Sequence, residues 1–225
     1  MDGMQDRNYD VITFDCYGTL IDWESGIASA FLQAAREDGI DLRREDVLRE
    51  YNRTEPVVER ESFRLYRDVL TESATRVAHA LGWALAFERG TFLVSSLRNW
   101  LPFSDTNAAL ERLRASGYRL GILSNVDDDL IAATLRHIKV DFDFVITAEQ
   151  VRAYKPAHGH FLAAKERIGK ARWLHAAQSN YHDIVPCNHL GIANAWVNRR
   201  GEKPLAGGTP TLEVRDLAGL ADMLA

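Results

Sequence analysis

Five short apolar runs, each bounded by polar or turn residues, constrain the fold of this chain more than any other feature. They are "YDVITFD" (residues 9–15), "YRLGILSN" (118–125), "FDFVITAE" (142–149), "RWLHAAQS" (172–179) and "ANAWVNRR" (193–200). Each has strand length, and the first three are too continuously apolar for a half-exposed strand, which calls for a parallel sheet buried on both faces. Between them lie segments with helical spacing, such as "TNAALERLRASG" (106–117), with Leu110 and Leu113 on one face and Gly117 as a stop, and "DDLIAATLRHI" (128–138). From residue 105 onward helix and strand alternate. That order predicts an α/β chain with a doubly wound, Rossmann-like parallel sheet.

Residues 22–98 break the alternation, because after the first run only helical patterns follow: "GIASAFLQAARED", "RREDVLREYNR", "ESFRLYRDVLTESATRVAHALG" and "RGTFLVSSLRNW". One crossover does not need so much helix. The expectation is an all-helical cap over 22–98, inserted into a core made of residues 1–21 and 99–225, with Pro102 breaking the helical pattern at the exit. "EKPLAGGTPT" (202–211) reads as a surface loop before a short terminal helix.

Charge and composition narrow the functional classes. A net charge of −5 with acids and bases interspersed gives no support for nucleic-acid or anionic-membrane partners. No apolar stretch approaches the roughly 20 residues that span a bilayer, and the polar start "MDGMQDRNYD" is unlike a secretory leader, so a cytoplasmic location is expected. Cys16 and Cys187 are far apart and lack metal-ligand spacing, and the histidines are scattered, so neither a disulfide nor a zinc site is expected.

Ligands of open α/β sheets bind beyond the carboxyl ends of the strands. The polar residues found directly there are Asp15 with "CYGT", then Ser124 and Asn125, then Lys155 in "YKP", then "QSNYHD" with Gln178, Asn180 and Asp183. Asp15 is a candidate nucleophile, since a carboxylate can form an ester that splits one hard step into two easier ones. Gly18 permits a sharp turn, the Thr19 hydroxyl can bond the nucleophile or the substrate, and Lys155 brings positive charge beside Asp15. Ser124 and Asn125 offer donors to an anionic group. Taken singly, each of these is also a common cap or loop residue; four of them after successive strands point to one site.

In that order "FDCYGTL", "ILSN", "YKP" and "QSNYHD" resemble the four motifs of the haloacid dehalogenase superfamily, and the helical insertion falls between the first two as it does there. "DxYGTL" before a helical cap is most similar to the L-2-haloacid dehalogenase branch. The resemblance implies that Asp15 displaces halide from C2 of a short 2-halo acid with inversion, after which water attacks the ester carbonyl and releases the 2-hydroxy acid. It implies no cofactor, a small carboxylate substrate, and a homodimer as an arrangement common in that branch. Carried over by position, Thr19, Ser124 and Lys155 hold Asp15 and the substrate carboxylate, Asn125 cradles the leaving group, and Asn180 with Asp183 positions water.

Tyr17 separates this reading from its main rival. Phosphatases of the superfamily place a second Asp there as proton donor, and a phenol with an ordinary pKa near 10 is a poor acid at neutral pH. Under the phosphatase alternative magnesium would be held by Asp15 and Asp183, with Gln178 standing where such enzymes often carry an acid. Gln178 also replaces the serine of the dehalogenase branch, and Phe161 replaces a tyrosine. Two further readings are a hydrolase opening a strained-ring amino acid such as azetidine-2-carboxylate, and a non-catalytic binding module. The retained Asp15, Lys155 and Asp183 argue against the module. For the substrate-contacting cap arginine of the branch, Arg49 and Arg53 are the candidates, and Trp23, Tyr51 and Trp100 are candidates to shape the pocket.

Overall fold

The computed structural model describes residues 8–225; most of the polar start read above, residues 1–7, lies outside the described residues. Six strands form one sheet: β1 (Val11–Phe14), β2 (Arg119–Ser124), β3 (Phe144–Thr147), β4 (Trp173–Ala177), β5 (Ala193–Val197) and β6 (Leu212–Val214). All pairs are parallel and the order is β3-β2-β1-β4-β5-β6. The three-residue β6 is absent from the sequence expectation. It sits at the sheet edge, half in solvent, directly after the Gly/Pro-rich loop, and is too short to show an alternating pattern.

Strand alternation divides the core. Ile12 and Phe14 face one cluster, which includes Leu110 and Leu113 of α5 (Thr106–Ala115) and Leu217 and Leu220 of α10 (Leu217–Leu224). Val11 faces the other, made with Leu123, Phe144, Ile146 and the buried face of α8 (Gly159–Ile168). Helices α6 (Asp128–Thr134), α7 (Ala148–Val151) and α9 (Val185–His189) complete the crossovers.

Between β1 and α5 the chain runs through α1 (Trp23–Glu37), α2 (Arg44–Glu59), α3 (Tyr66–Ala80) and α4 (Thr91–Ser96). Two adjacent strands of backbone join this helical layer to the sheet: Ile21 bridges Pro102, and Asp22 N–H donates to Leu101 C=O at 2.9 Å. Asp22 then caps α1, accepting from Ser25 N at 3.1 Å. Among the described residues no helix is long and apolar enough to cross a membrane.

The layer is fastened to the sheet from the far side as well. Leu65 begins α3 without a capping side chain; the cap comes from Asp127, in the turn after β2. Its two oxygens accept from Tyr66 N at 2.6 Å and Arg67 N at 3.0 Å, and Arg67 Nε adds a third bond at 3.1 Å. Asp127 is almost completely buried. Replacing it with Ala strips two N–H groups of their acceptor, and we expect a loss of about 2 kcal/mol in urea unfolding, against less than half of that for Asp127→Asn.

Candidate active site

Asp15 is the first residue past β1, between the tips of β2 and β4, where the strand order reverses and a crevice opens. The turn that follows needs Gly18: its φ is +99°, and a Cβ there would lie 3.1 Å from Trp23 Nε1 and 3.2 Å from Gln178 Oε1. The turn returns Thr19 beneath Asp15, so that Thr19 Oγ1 donates to Asp15 Oδ2 at 2.8 Å while accepting from Gln178 N at 2.9 Å. Lys155 Nζ donates to Asp15 Oδ1 at 2.9 Å, Asp183 Oδ1 at 2.7 Å and Leu123 C=O at 2.9 Å. All three ammonium protons are thus used. Lys155 is 2% exposed and Asp15 8%. Burial works against the charge on Lys155, but Asp15 and then Asp183 outweigh it and hold the amine above its ordinary pKa.

Asp183 receives a second donor on the same oxygen, His175 Nε2 at 3.0 Å. His175 lies fully buried in β4, and its Nδ1 meets Thr13 Oγ1 at 2.8 Å, which in turn accepts from Trp173 Nε1 at 2.7 Å. The contact with Thr13 fixes the orientation of the ring and turns Nε2 to Asp183. Burial raises the Asp183 pKa, yet Lys155 and then His175 overcome it and leave the carboxyl well below the usual range. The sequence reading passed over His175 as one of several scattered histidines; the available signal was a polar ring inside an otherwise apolar strand.

These groups form the floor of a cavity of about 350 Å³, inside the roughly 300–1,000 Å³ range of small-molecule pockets. Its wall is aromatic: Tyr17 and Trp100 meet edge to face at 5.9 Å, and Trp23 lies 5.9 Å from Tyr51. The Tyr17 hydroxyl is turned to Thr134 Oγ1 at 2.8 Å, and burial pushes its pKa well up, so the ring contributes surface and no acid. The roof is one face of α2, carrying Tyr51, Glu55 and Glu59 at helical spacing, with Pro56 inside the helix. Three buried polar atoms without a protein partner belong to residues lining this cavity: Ser124 Oγ, Asp183 Oδ2 and Tyr51 Oη. Buried polar atoms are normally satisfied, so their convergence marks a place for a polar ligand.

Several sequence expectations change. Arg49 and Arg53 do not line the cavity; both are exposed on the outer face of α2, paired with Asp46 and Glu50 respectively. They stand two residues before Tyr51 and Glu55, about 200° around a helix of 3.6 residues per turn. Asn125 borders the cavity, but its two ends clasp the backbone of Lys155, accepting from Lys155 N at 2.7 Å and donating to Lys155 C=O at 3.1 Å. It positions the lysine and keeps a second amide N–H beyond that clasp. Asn180 borders the cavity, donates to Gly208 C=O at 2.8 Å and accepts from Leu205 N at 3.1 Å, so it braces the 205–208 loop with one N–H left over. Phe161 packs edge to face on His175 at 5.4 Å. Gln178 borders the cavity, and its carbonyl accepts from Trp196 Nε1 at 2.7 Å.

Lys155 Nζ occupies Oδ1 of both Asp15 and Asp183, which leaves a hard cation only their second oxygens. Among the described residues no group of three or more His, Cys, Asp or Glu side chains is placed to hold a metal ion.

The chain belongs to the haloacid dehalogenase-like hydrolases, whose family model matches residues 9–208. It is 29% identical over 225 aligned positions, 97% of each chain, to an (S)-2-haloacid dehalogenase of Pseudomonas putida. To the (S)-2-haloacid dehalogenase H-109 of the same species it is 37% identical over 127 residues, covering 55% of this chain and 57% of that protein. In fold it is similar to the L-2-haloacid dehalogenase of Xanthobacter autotrophicus, with a TM-score of 0.83 and 18% identity over 96% of this chain and 98% of the other.

Proposed function

We propose that this hydrolase displaces a leaving group at C2 of a short 2-substituted carboxylic acid through an ester on Asp15, in the manner of a 2-haloacid dehalogenase. The observation that carries the reading is the Asp15 carboxylate itself, held at one oxygen by Lys155 and at the other by Thr19 at the floor of an aromatic-walled cavity. Held this way, the carboxylate needs little reorientation before attack. The Asp15–C2 bond forms as the C2–halogen bond breaks and halide departs. Ser124 Oγ, buried and unpartnered in the protein, is free to donate to the substrate carboxylate. The relatives' names support halide as leaving group, since those proteins are named for (S)-2-haloacids.

Water then attacks the Asp15 carbonyl carbon, and the C–O bond to Asp15 breaks on the enzyme side, releasing the 2-hydroxy acid and returning the carboxylate. Asp183 Oδ2 is placed to align that water. Because Lys155 and His175 keep Asp183 a weak base, it orients the water and takes its proton only as the new bond forms. The helical segment 22–98 serves as the cap that excludes bulk water from these steps.

No step requires a metal. Dialysis against EDTA is therefore expected to leave 2-chloropropionate hydrolysis unchanged. A loss restored by magnesium, accompanied by turnover of p-nitrophenyl phosphate, would move the assignment to a phosphatase.

A further inference from the structure

The roof of the cavity carries two acids for which a pocket that takes only a small anion has no use. Glu55 and Glu59 are one turn apart on α2, and both line the cavity that contains Asp15. Neither forms an ion pair with any described Lys, Arg or His; Glu55 has only the Tyr66 hydroxyl, which donates to it at 3.2 Å. The cationic side chains of the cavity lie elsewhere. Lys155 is consumed by Asp15 and Asp183, Arg200 stands beside Glu24 and Glu202, and Lys203 is exposed. Tyr51 Oη, on the same face of α2 and 97% buried by its 3% exposure, lies near the Tyr66 hydroxyl but makes no hydrogen bond of normal geometry. Burial lifts both carboxyls, Glu55 to about 7, with Glu59 raised further by the charge of Glu55. Two carboxyls and the Tyr51 hydroxyl on one face of α2 make this wall of the cavity rich in acceptors, with the Tyr66 hydroxyl as the donor that reaches Glu55.

We propose that Glu55, Glu59 and Tyr51 Oη form a subsite for a protonated amine, so that the preferred substrate is a 2-substituted acid bearing an ammonium group on the side away from the reacting carbon. The proposal rests on the reading of Asp15 as nucleophile for the orientation of the substrate, whereas the amine subsite itself rests only on the roof. An ammonium has three donors and one positive charge, which matches two carboxylates and one hydroxyl oxygen. An ammonium placed there also favours the ionised form of both acids, which burial otherwise disfavours.

The test compares matched pairs that differ only in the amine. With 2-chloro-4-aminobutyrate and 2-chlorobutyrate, kcat/KM for the purified full chain is expected to favour the amine by at least about 10-fold, as for one charge-assisted hydrogen bond. Glu55→Gln and Glu59→Gln should each erase most of that preference, raising KM for the amine by far more than they change KM for 2-chlorobutyrate. Equal turnover of the two acids by the unaltered protein, or an equal loss on both in the variants, overturns the proposal. Calorimetry with 4-aminobutyrate against butyrate reads the subsite without chemistry. Tighter binding of the amine, lost in the Gln variants, sustains the subsite even where neither chloro acid is hydrolysed, which would count against the dehalogenase route alone. Equal binding, or no binding of either, overturns it.

Discussion

Asp15→Asn is expected to lower turnover of 2-chloropropionate by about 10⁴- to 10⁶-fold, the range seen when a covalent nucleophile is removed. The substitution keeps the shape of the side chain, so circular dichroism should be unchanged, while the urea midpoint falls because the buried pair with Lys155 loses one carboxylate. What is lost is the charged oxygen now held 2.9 Å from Lys155 Nζ. A second measurement makes the test specific for an ester. In a single turnover in ¹⁸O water, the first product should carry unlabelled oxygen and the Asp15 carboxylate should carry the label, because the product hydroxyl comes from Asp15. Label appearing at once in the 2-hydroxy acid would mean that water attacks C2 directly.

Lys155→Met has the next largest expected effect and acts on both function and stability. It leaves two buried carboxylates, Asp15 and Asp183, without their shared cation, a situation that destabilises by roughly 3–5 kcal/mol when a buried ion pair is broken from one side. Activity should fall by at least about 10³-fold, since Asp15 loses the group that orients it. The pH dependence has a definite sign. The Asp183 pKa is depressed in the folded state, so its contribution is fully present above its unfolded value near 3.9 and disappears as pH falls through the folded value. The stability gap between the parent and Lys155→Met should therefore be widest near neutrality and narrow below about pH 4. A gap that stays constant on acidification would show that Lys155 contributes by packing alone.

Much of the floor was legible in the sequence because Asp15, Ser124 and Gln178 stand at or directly past the ends of strands, with Lys155 and Asp183 in the segments that follow. Val11–Phe14, Arg119–Ser124 and Trp173–Ala177 are buried runs whose ends can be read without knowing the fold, and Asp15, Ser124 and Gln178 come with them. The roof was not legible, because it depends on which side of α2 meets the sheet. Arg49 and Arg53 were chosen for their charge, whereas Val47, Tyr51 and Val58 are the buried positions of that helix and bring Glu55 and Glu59 inward with them. His175 escaped notice for a related reason. Its partners Thr13 and Asp183 come from other parts of the chain, and only the pairing of β1 with β4, which sets Thr13 opposite His175, brings them together.

Asp127 lies two residues beyond Asn125, so its cap ties the start of α3 to the turn that borders the site. Tyr66, the residue whose N–H it receives, lines the same cavity. Loss of that cap should therefore be felt in the pocket as well as in stability, and Asp127→Ala is expected to raise KM in addition to lowering the urea midpoint.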